Sequence, residues 1–387
     1  MSDSTILVNM ISLFQGGPKT VGFGVIAGLD VNSIPKRHFI FILPRGVGFE
    51  GFIRDKHSTE NIEYIFVGYP TKRFRFIVKL FIDHVYTPYV FYRKKSSLLF
   101  MTANFASFLV PGRRQIVLQH NPFYLEERSE FMEISWRSAL RLKLEKALFR
   151  ATTLKGARYI VQLDCIKKRL ASRFRVKNTN IKVVTMVPLP SSIETDEVEQ
   201  TKSHILSYIE AEGGTLNLFF PARLHPNKNH EILLPLAEHF KKQGLEIRFF
   251  VTLEQDCSFL KKVKERGLDG GIKNLGYVNH TVVGEVYSLF DGMFFPTYSE
   301  SYGLPYVEAM KAGVPIITAD YDFSREVCGD AAIYFKQNDL NSAIGCIERL
   351  CDPSVRELLI SEAVSRGEKF SHDWVKVVQS IFEKGDQ

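Results

Sequence analysis

Short apolar runs without polar alternation recur along this chain, and each is followed by a longer helical pattern. Before residue 187 they are ILVNMI (6–11), FIFIL (39–43), YIFVG (64–68), LLFMT (98–102), QIVLQH (115–120) and YIVQL (159–163). After it come LNLFFP (216–221), IRFFVT (247–252), GMFFPT (292–297) and VPIITA (314–319). A strand apolar on both faces belongs in a parallel sheet covered on both sides by helices. Two such series predict an α/β chain of two doubly wound, Rossmann-like domains facing across a cleft. A length of 387 residues fits two cores better than one.

The break falls near VVTMVPLPSSIETDEVEQ, where Pro188 and Pro190 interrupt the periodicity and an acidic stretch follows. The expected division is an N-terminal domain (1–189), a C-terminal domain (190–370) and a last helix (371–387). The hinge is placed at 187–193 and a polar surface helix at 194–212. The last helix, with Trp374, Val378 and Phe382 on one face, is expected to pack back on the N-terminal domain.

Charge is divided unevenly. Residues 1–187 hold 30 Lys+Arg against 13 Asp+Glu, whereas residues 188–387 hold 20 against 30. A basic half beside an acidic one points to an anionic partner for the first half. Two basic-aromatic runs stand out, TKRFRFIVKLF (71–81) and CIKKRLASRFRVK (165–177); such runs favour an anionic membrane surface, and a positively charged face over a core helix uses the same residues. No apolar run reaches the roughly 20 residues of a membrane span, so membrane association is expected to be peripheral. The five cysteines form no C-x-x-C pair, which fits a reducing compartment. No RNP-like or zinc-finger pattern supports a nucleic-acid partner.

The chemistry-bearing residues sit after strands. Gly16 and Gly17 follow the first strand, where a helix N-terminus offers N–H groups to an anion; a plain strand-to-helix turn uses the same residues. Arg223 and Lys228, in ARLHPNKNHEILL, are two cations in a strand-to-helix loop, a pairing that suits a diphosphate and equally a solvated loop. In SESYGLPYVEAMKAGVPII, Glu300 precedes a glycine turn and Glu308 lies in the helix after it. A carboxylate there accepts hydrogen bonds from a vicinal diol, and the N–H groups of Tyr302, Gly303 and Leu304 suit a phosphate oxygen. His120 stands at a strand end, a position that a structural histidine also takes.

The two glutamates with seven residues between them, the Gly-Leu-Pro turn, EAMKAGVPI and the later EVCGDAA resemble the signature of family-4 retaining glycosyltransferases of the GT-B fold. ARLHPNKNHEILL is similar to that family's phosphate-gripping segment. The likeness is strong over 216–374 and weaker over 1–190, where Gly16-Gly17 and LQHNPFYL correspond. The resemblance implies that Glu308 holds the donor ribose, Glu300 faces the donor sugar, and Arg223 and Lys228 bind the diphosphate. It also implies that Gly16 approaches that diphosphate, Tyr277 and Val278 frame the base, and His120 contacts the sugar.

The expected activity is retaining, metal-independent hexosyl transfer from a UDP- or GDP-sugar, with no other cofactor. The acceptor is expected to be a lipid-linked or oligosaccharide glycan at the cytoplasmic face of the inner membrane, in O-antigen or capsule assembly. A soluble transferase with a small-molecule acceptor and a catalytically inactive binding protein remain alternatives. Asp320 and Asp322 are read as solvated turn residues and not as metal ligands.

Overall fold

The computed structural model describes residues 4–14, 16–29, 37–54, 61–68, 75–102, 104–125, 136–153, 156–189, 195–210, 216–278, 282–370 and 373–383. The expected hinge therefore lies largely outside the described residues, as do residues 71–74 of the first basic run.

The chain divides into two compact units, one ending at Met186 and regaining the C-terminal helix, the other beginning at Val187. The first is built on β1 (Ser4–Asn9), β2 (Arg37–Pro44), β3 (Ile62–Val67), β4 (Leu98–Met101), β5 (Gln115–Leu118), β6 (Arg158–Val161) and β7 (Ile181–Val183). Their spatial order is β3-β2-β1-β4-β5-β6-β7, and every pairing is parallel. The second holds β8 (Leu216–Phe220), β9 (Ile247–Val251), β10 (Ile272–Asn274), β11 (Gly292–Phe295), β12 (Ile316–Ala319) and β13 (Ala332–Phe335). These run β10-β9-β8-β11-β12-β13, again all parallel. Both sheets are doubly wound, as the apolar runs predict. β8, β9, β11 and β12 are buried along their whole length.

In each sheet the chain starts in the middle, winds to one edge and returns to continue in the other direction. The order reverses between β1 and β4, and between β8 and β11. Loops leaving the carboxyl ends of such a strand pair diverge and leave a crevice for a ligand. The two switch points thus fix where binding residues must lie.

Three strands have no counterpart among the expected runs: β7, β10 and β13, each an edge strand of three or four residues. The expected surface helix is present as Thr195–Glu210. The second basic run forms the helix Asp164–Phe174, whose Cys165, Ile166 and Leu170 are buried. Phe174 packs edge-on to Phe149 at 4.8 Å, and Arg173 donates to the carbonyl of Leu125. This run is therefore a helix whose apolar side chains cover the core, with basic residues such as Lys168 and Arg173 on its exposed side.

The C-terminal helix Trp374–Phe382 lies on the helix Gly16–Ala27, within the first unit. Phe382 meets Phe39 and Phe100 edge-on, each at 5.5 Å. The close approach depends on glycine: a Cβ on Gly24 would stand 2.0 Å from the Trp374 ring. Gly24→Leu is therefore expected to unseat Trp374 and cost about 1–3 kcal/mol, read as a lower melting temperature. An unchanged melting temperature would mean that the helix is not seated there.

Candidate active site

The first strand of the second sheet, β8, runs into the loop 221–225 and a single 3-10 turn, Pro226–Lys228. β11, its neighbour across the switch point, runs into Pro296–Gly303. Asn227 ties these two loops together. Its Nδ2 donates to the carbonyl of Ser299 (2.9 Å), and its own carbonyl accepts from the Tyr298 N–H (2.7 Å) and the Thr297 hydroxyl (3.1 Å). His230, buried against Phe220 with ring centroids 4.3 Å apart, braces the first loop through a 3.3 Å contact to the carbonyl of Ala222. Burial drives its pKa down to about 3, so it is neutral.

This clamp brings together two residues that the sequence places 72 positions apart. The ammonium of Lys228 donates to Oε1 of Glu300 in an ion pair whose side chains are 20% and 15% exposed. Oε1 also accepts from the Thr297 hydroxyl at 2.9 Å, and Lys228 lies 4.8 Å from the centre of the Phe295 ring. Lys228 is thus not a solvated loop lysine but half of a shielded pair. Arg223, at the carboxyl end of the same strand, is exposed.

Glu308 lies in the helix Leu304–Lys311, which Gly303 caps with a left-handed backbone (φ 87°). A side chain is excluded there twice over, since a Cβ would also come within 2.5 Å of the Tyr306 ring. Tyr302, expected to offer its N–H, has its side chain buried. The N–H groups of Gly303 and Leu304, at the start of this helix, lack intrahelical partners by geometry, and they lie three and four residues beyond Glu300. The Tyr287 hydroxyl donates to Oε2 of Glu308 at 3.1 Å. Burial raises the Glu308 carboxyl to about pKa 7, opposed by that hydrogen bond. Tyr287 escaped the sequence reading because it lies 21 residues upstream, with no local pattern to mark it.

Tyr277 and Val278 follow β10. With Leu275 and with Gln200, Thr201, His204 and Ile205 of the helix Thr195–Glu210, they line a surface pocket of about 360 Å³. Tyr277 is 68% exposed.

In the first unit, Gly16 opens the helix after β1 with φ 63°, and a Cβ there would meet nothing within 4 Å. Gly17, next in the helix, is equally uncrowded. His120 follows β5. Asn104, itself left-handed (φ 69°), accepts from the N–H groups of His120 (2.8 Å) and Asn121 (2.9 Å) through Oδ1. Its Nδ2 lies 3.4 Å from His120 Nε2. His120 Nδ1 is buried with no partner among the described residues. Burial, reinforced by the charge of Lys79, lowers the His120 pKa to about 4, so the ring is neutral at pH 7 and positioned by Asn104, a residue the sequence did not single out.

Asp320 is not simply solvated: Arg325 grips it with two hydrogen bonds, at 2.7 and 2.8 Å. Among the described residues no group of three His, Cys, Asp or Glu side chains is arranged to hold a metal ion.

Residues 209–361 match the family model for glycosyl transferases group 1. Over 114 residues the chain is 32% identical to the O-antigen chain mannosyltransferase B of Escherichia coli, a stretch covering 29% of this chain and 30% of that protein. The curated relatives it matches are covered over only 30–49% of their own length. Among solved structures, the lipopolysaccharide-biosynthesis glycosyltransferase WaaG superposes with a TM-score of 0.69 at 12% identity, over 98% of this chain and 100% of that one. Anabaena HepE in complex with UDP-glucose gives 0.67 at 14% identity, over 97% and 98%. The fold is that of these GT-B glycosyltransferases.

The raised Glu308 pKa has a thermodynamic consequence. Between about pH 4.5 and 7 the unfolded chain ionises Glu308 while the folded chain keeps it protonated, so folding loses stability as pH rises through that window. Glu308→Gln removes this dependence. In paired thermal melts the variant should gain on the wild type from pH 4.5 to 7, with a constant difference above. A gap independent of pH would show that the carboxyl is not perturbed.

Proposed function

We propose, for a chain carrying a group 1 glycosyltransferase domain over residues 209–361, that it transfers a hexose from a UDP- or GDP-sugar to a lipid-linked or oligosaccharide acceptor. The transfer takes place at the cytoplasmic membrane face, in surface-polysaccharide assembly. The observation that carries this reading is the Lys228–Glu300 pair across the β8/β11 switch point, with Glu308 one helix turn beyond it. A crevice holding a cation, a carboxylate and a helix N-terminus offers a partner to each part of a nucleoside diphosphate sugar.

Breaking the bond between the anomeric carbon and the diphosphate leaves negative charge on the leaving group. In this reading Lys228 and Arg223 offset that charge, with the N–H groups of Gly303 and Leu304. Glu300 keeps Lys228 in place and presents its remaining oxygen to the sugar. Glu308, once ionised, accepts the two ribose hydroxyls, and the pocket beside Tyr277 and Val278 takes the base. In the first unit, the open backbone at Gly16 suits a phosphate, and the neutral His120 offers a ring nitrogen to a sugar hydroxyl. Retention of anomeric configuration is part of the proposal, with the leaving phosphate accepting the acceptor's proton. Likeness to lipopolysaccharide-related proteins and the basic first half support the choice of acceptor.

Two cations, not a metal, are proposed to meet the leaving group. Transfer or slow donor hydrolysis should therefore persist in excess EDTA. Lys228→Ala should lower kcat/KM at least ~100-fold, a loss larger than its effect on the melting temperature predicts. Glu300→Gln, which leaves the lysine in place, should retain donor binding better than Lys228→Ala. Activity that EDTA abolishes and magnesium or manganese restores would sink the two-cation account. NMR of the product's anomeric configuration tests retention, and an inverted product would refute it.

A further inference from the structure

Residues 75–93 form one uninterrupted helical rod: the α-helix Arg75–Phe81, a π-turn Ile82–Tyr86, and the α-helix Thr87–Arg93. Its inner face is fixed. Asn9, at the end of β1, donates from Nδ2 to Asp83 Oδ1 and to the Thr87 hydroxyl, both at 2.9 Å. Ile82, Asp83, Thr87, Val90 and Phe91 are buried. The outer face is unusual. Ile77, Phe81, Val85 and Tyr89, spaced four apart, are 48–65% exposed, and Tyr92 beside them is 52% exposed.

In a plain α-helix a ladder of four-residue steps drifts about 40° per step and winds off one face. The π-turn in the middle holds one extra residue in its turn, which takes back that drift and keeps Tyr89 in line with Ile77 and Phe81. The sequence spacing and the local backbone therefore cooperate to present one apolar ridge to solvent. Other large apolar side chains are exposed as well, Leu140 with Leu144 and Ile360 with Val364 among them, but none of these forms a run of four at helical spacing; a contiguous ridge of this kind marks a docking surface.

Charge indicates what covers it. The rod ends in Arg93, Lys94 and Lys95, all exposed. Arg93 donates to the Tyr89 hydroxyl at 2.8 Å. At the other end, the Arg141 guanidinium lies over the Phe76 ring, 5.4 Å from its centre. An apolar ridge with tyrosines near one end and cations at both ends has the chemistry of a peripheral helix lying in the headgroup layer.

We infer that the outer face of residues 77–92 docks on an anionic lipid bilayer, the ridge entering the acyl boundary and the flanking cations meeting the phosphates. The inference deepens the membrane-face reading above and shares its premise of a lipid-linked acceptor. Since Asp83 and Thr87 tie the rod to Asn9, docking fixes how the carboxyl end of β1, and with it Gly16, faces the membrane.

The test is co-sedimentation with vesicles of phosphatidylcholine alone and with one-quarter phosphatidylglycerol, on wild type and the double variant Phe81→Glu/Val85→Glu. Both side chains are exposed, so folding is checked by an unchanged melting temperature. Separate titration with UDP and GDP checks the nucleotide site. Wild type is expected to pellet with the anionic vesicles, and the double variant to partition at least ~tenfold more weakly with nucleotide affinity unchanged. Equal partitioning of the two proteins, or equal binding to neutral and anionic vesicles, would overturn the inference. So would a wild type that is dimeric without lipid and made monomeric by the substitutions, since a second copy would then be the occupant. Vesicle binding without any nucleotide affinity would leave the ridge standing and refute the proposed transferase.

Discussion

The contact between Lys228 and Glu300 depends on nearly everything else in the second unit. It requires β8 and β11 to be sheet neighbours although their last positions, Phe220 and Phe295, lie 75 positions apart in the chain. It requires Asn227 and Thr297 to hold two loops that a doubly wound sheet sends apart. It requires a local environment dry enough for a single ion pair to be well ordered, which Phe295 helps to provide. An isolated surface pair of this kind contributes little to stability. Its value here is positional: it keeps a cation and a carboxylate at the one point of the sheet where a ligand crevice forms.

The same logic assigns different work to the two carboxylates. Glu300 is compensated by Lys228 and the Thr297 hydroxyl, whereas Glu308 has, among the described residues, only the Tyr287 hydroxyl, and its burial raises its pKa. A carboxyl held near neutrality is ionised readily when hydroxyl donors arrive, because each hydrogen bond to the charged form favours it. His120 is the counterpart in the first unit, a ring kept neutral by burial and by the nearby ammonium of Lys79.

The fold was legible where burial is two-sided. Every expected apolar run became a strand, the edge strand β3 among them. β7 and β10 are edge strands of three residues, IKV and IKN, each with a lysine at its centre and too short to stand out; β13, AIYF, is apolar but only four residues long. Of the candidate site, the residues could be named from strand-end loops and from the family resemblance, but their partners could not. Neither Tyr287 against Glu308, nor Asn104 against His120, nor Thr297 against Glu300 leaves a local signature, because each is brought in by sheet order. Two basic-aromatic runs also looked alike in sequence. The structure separates them: residues 165–174 turn Cys165, Ile166 and Leu170 inward, whereas the rod 77–92 buries Ile82, Val90 and Phe91 but carries Ile77, Phe81, Val85 and Tyr89 outward across a π-turn that no pattern of residue types announces.

The central claim is that the β8/β11 switch point takes a nucleoside diphosphate with its ribose on Glu308. Calorimetric titration of UDP and GDP at pH 7, in two buffers of different ionisation enthalpy, measures the protons exchanged on binding. The account predicts that one of the two nucleotides binds and releases up to roughly half a proton more from the wild type than from Glu308→Gln. Equal proton release in the two proteins, or no binding of either nucleotide, would contradict it.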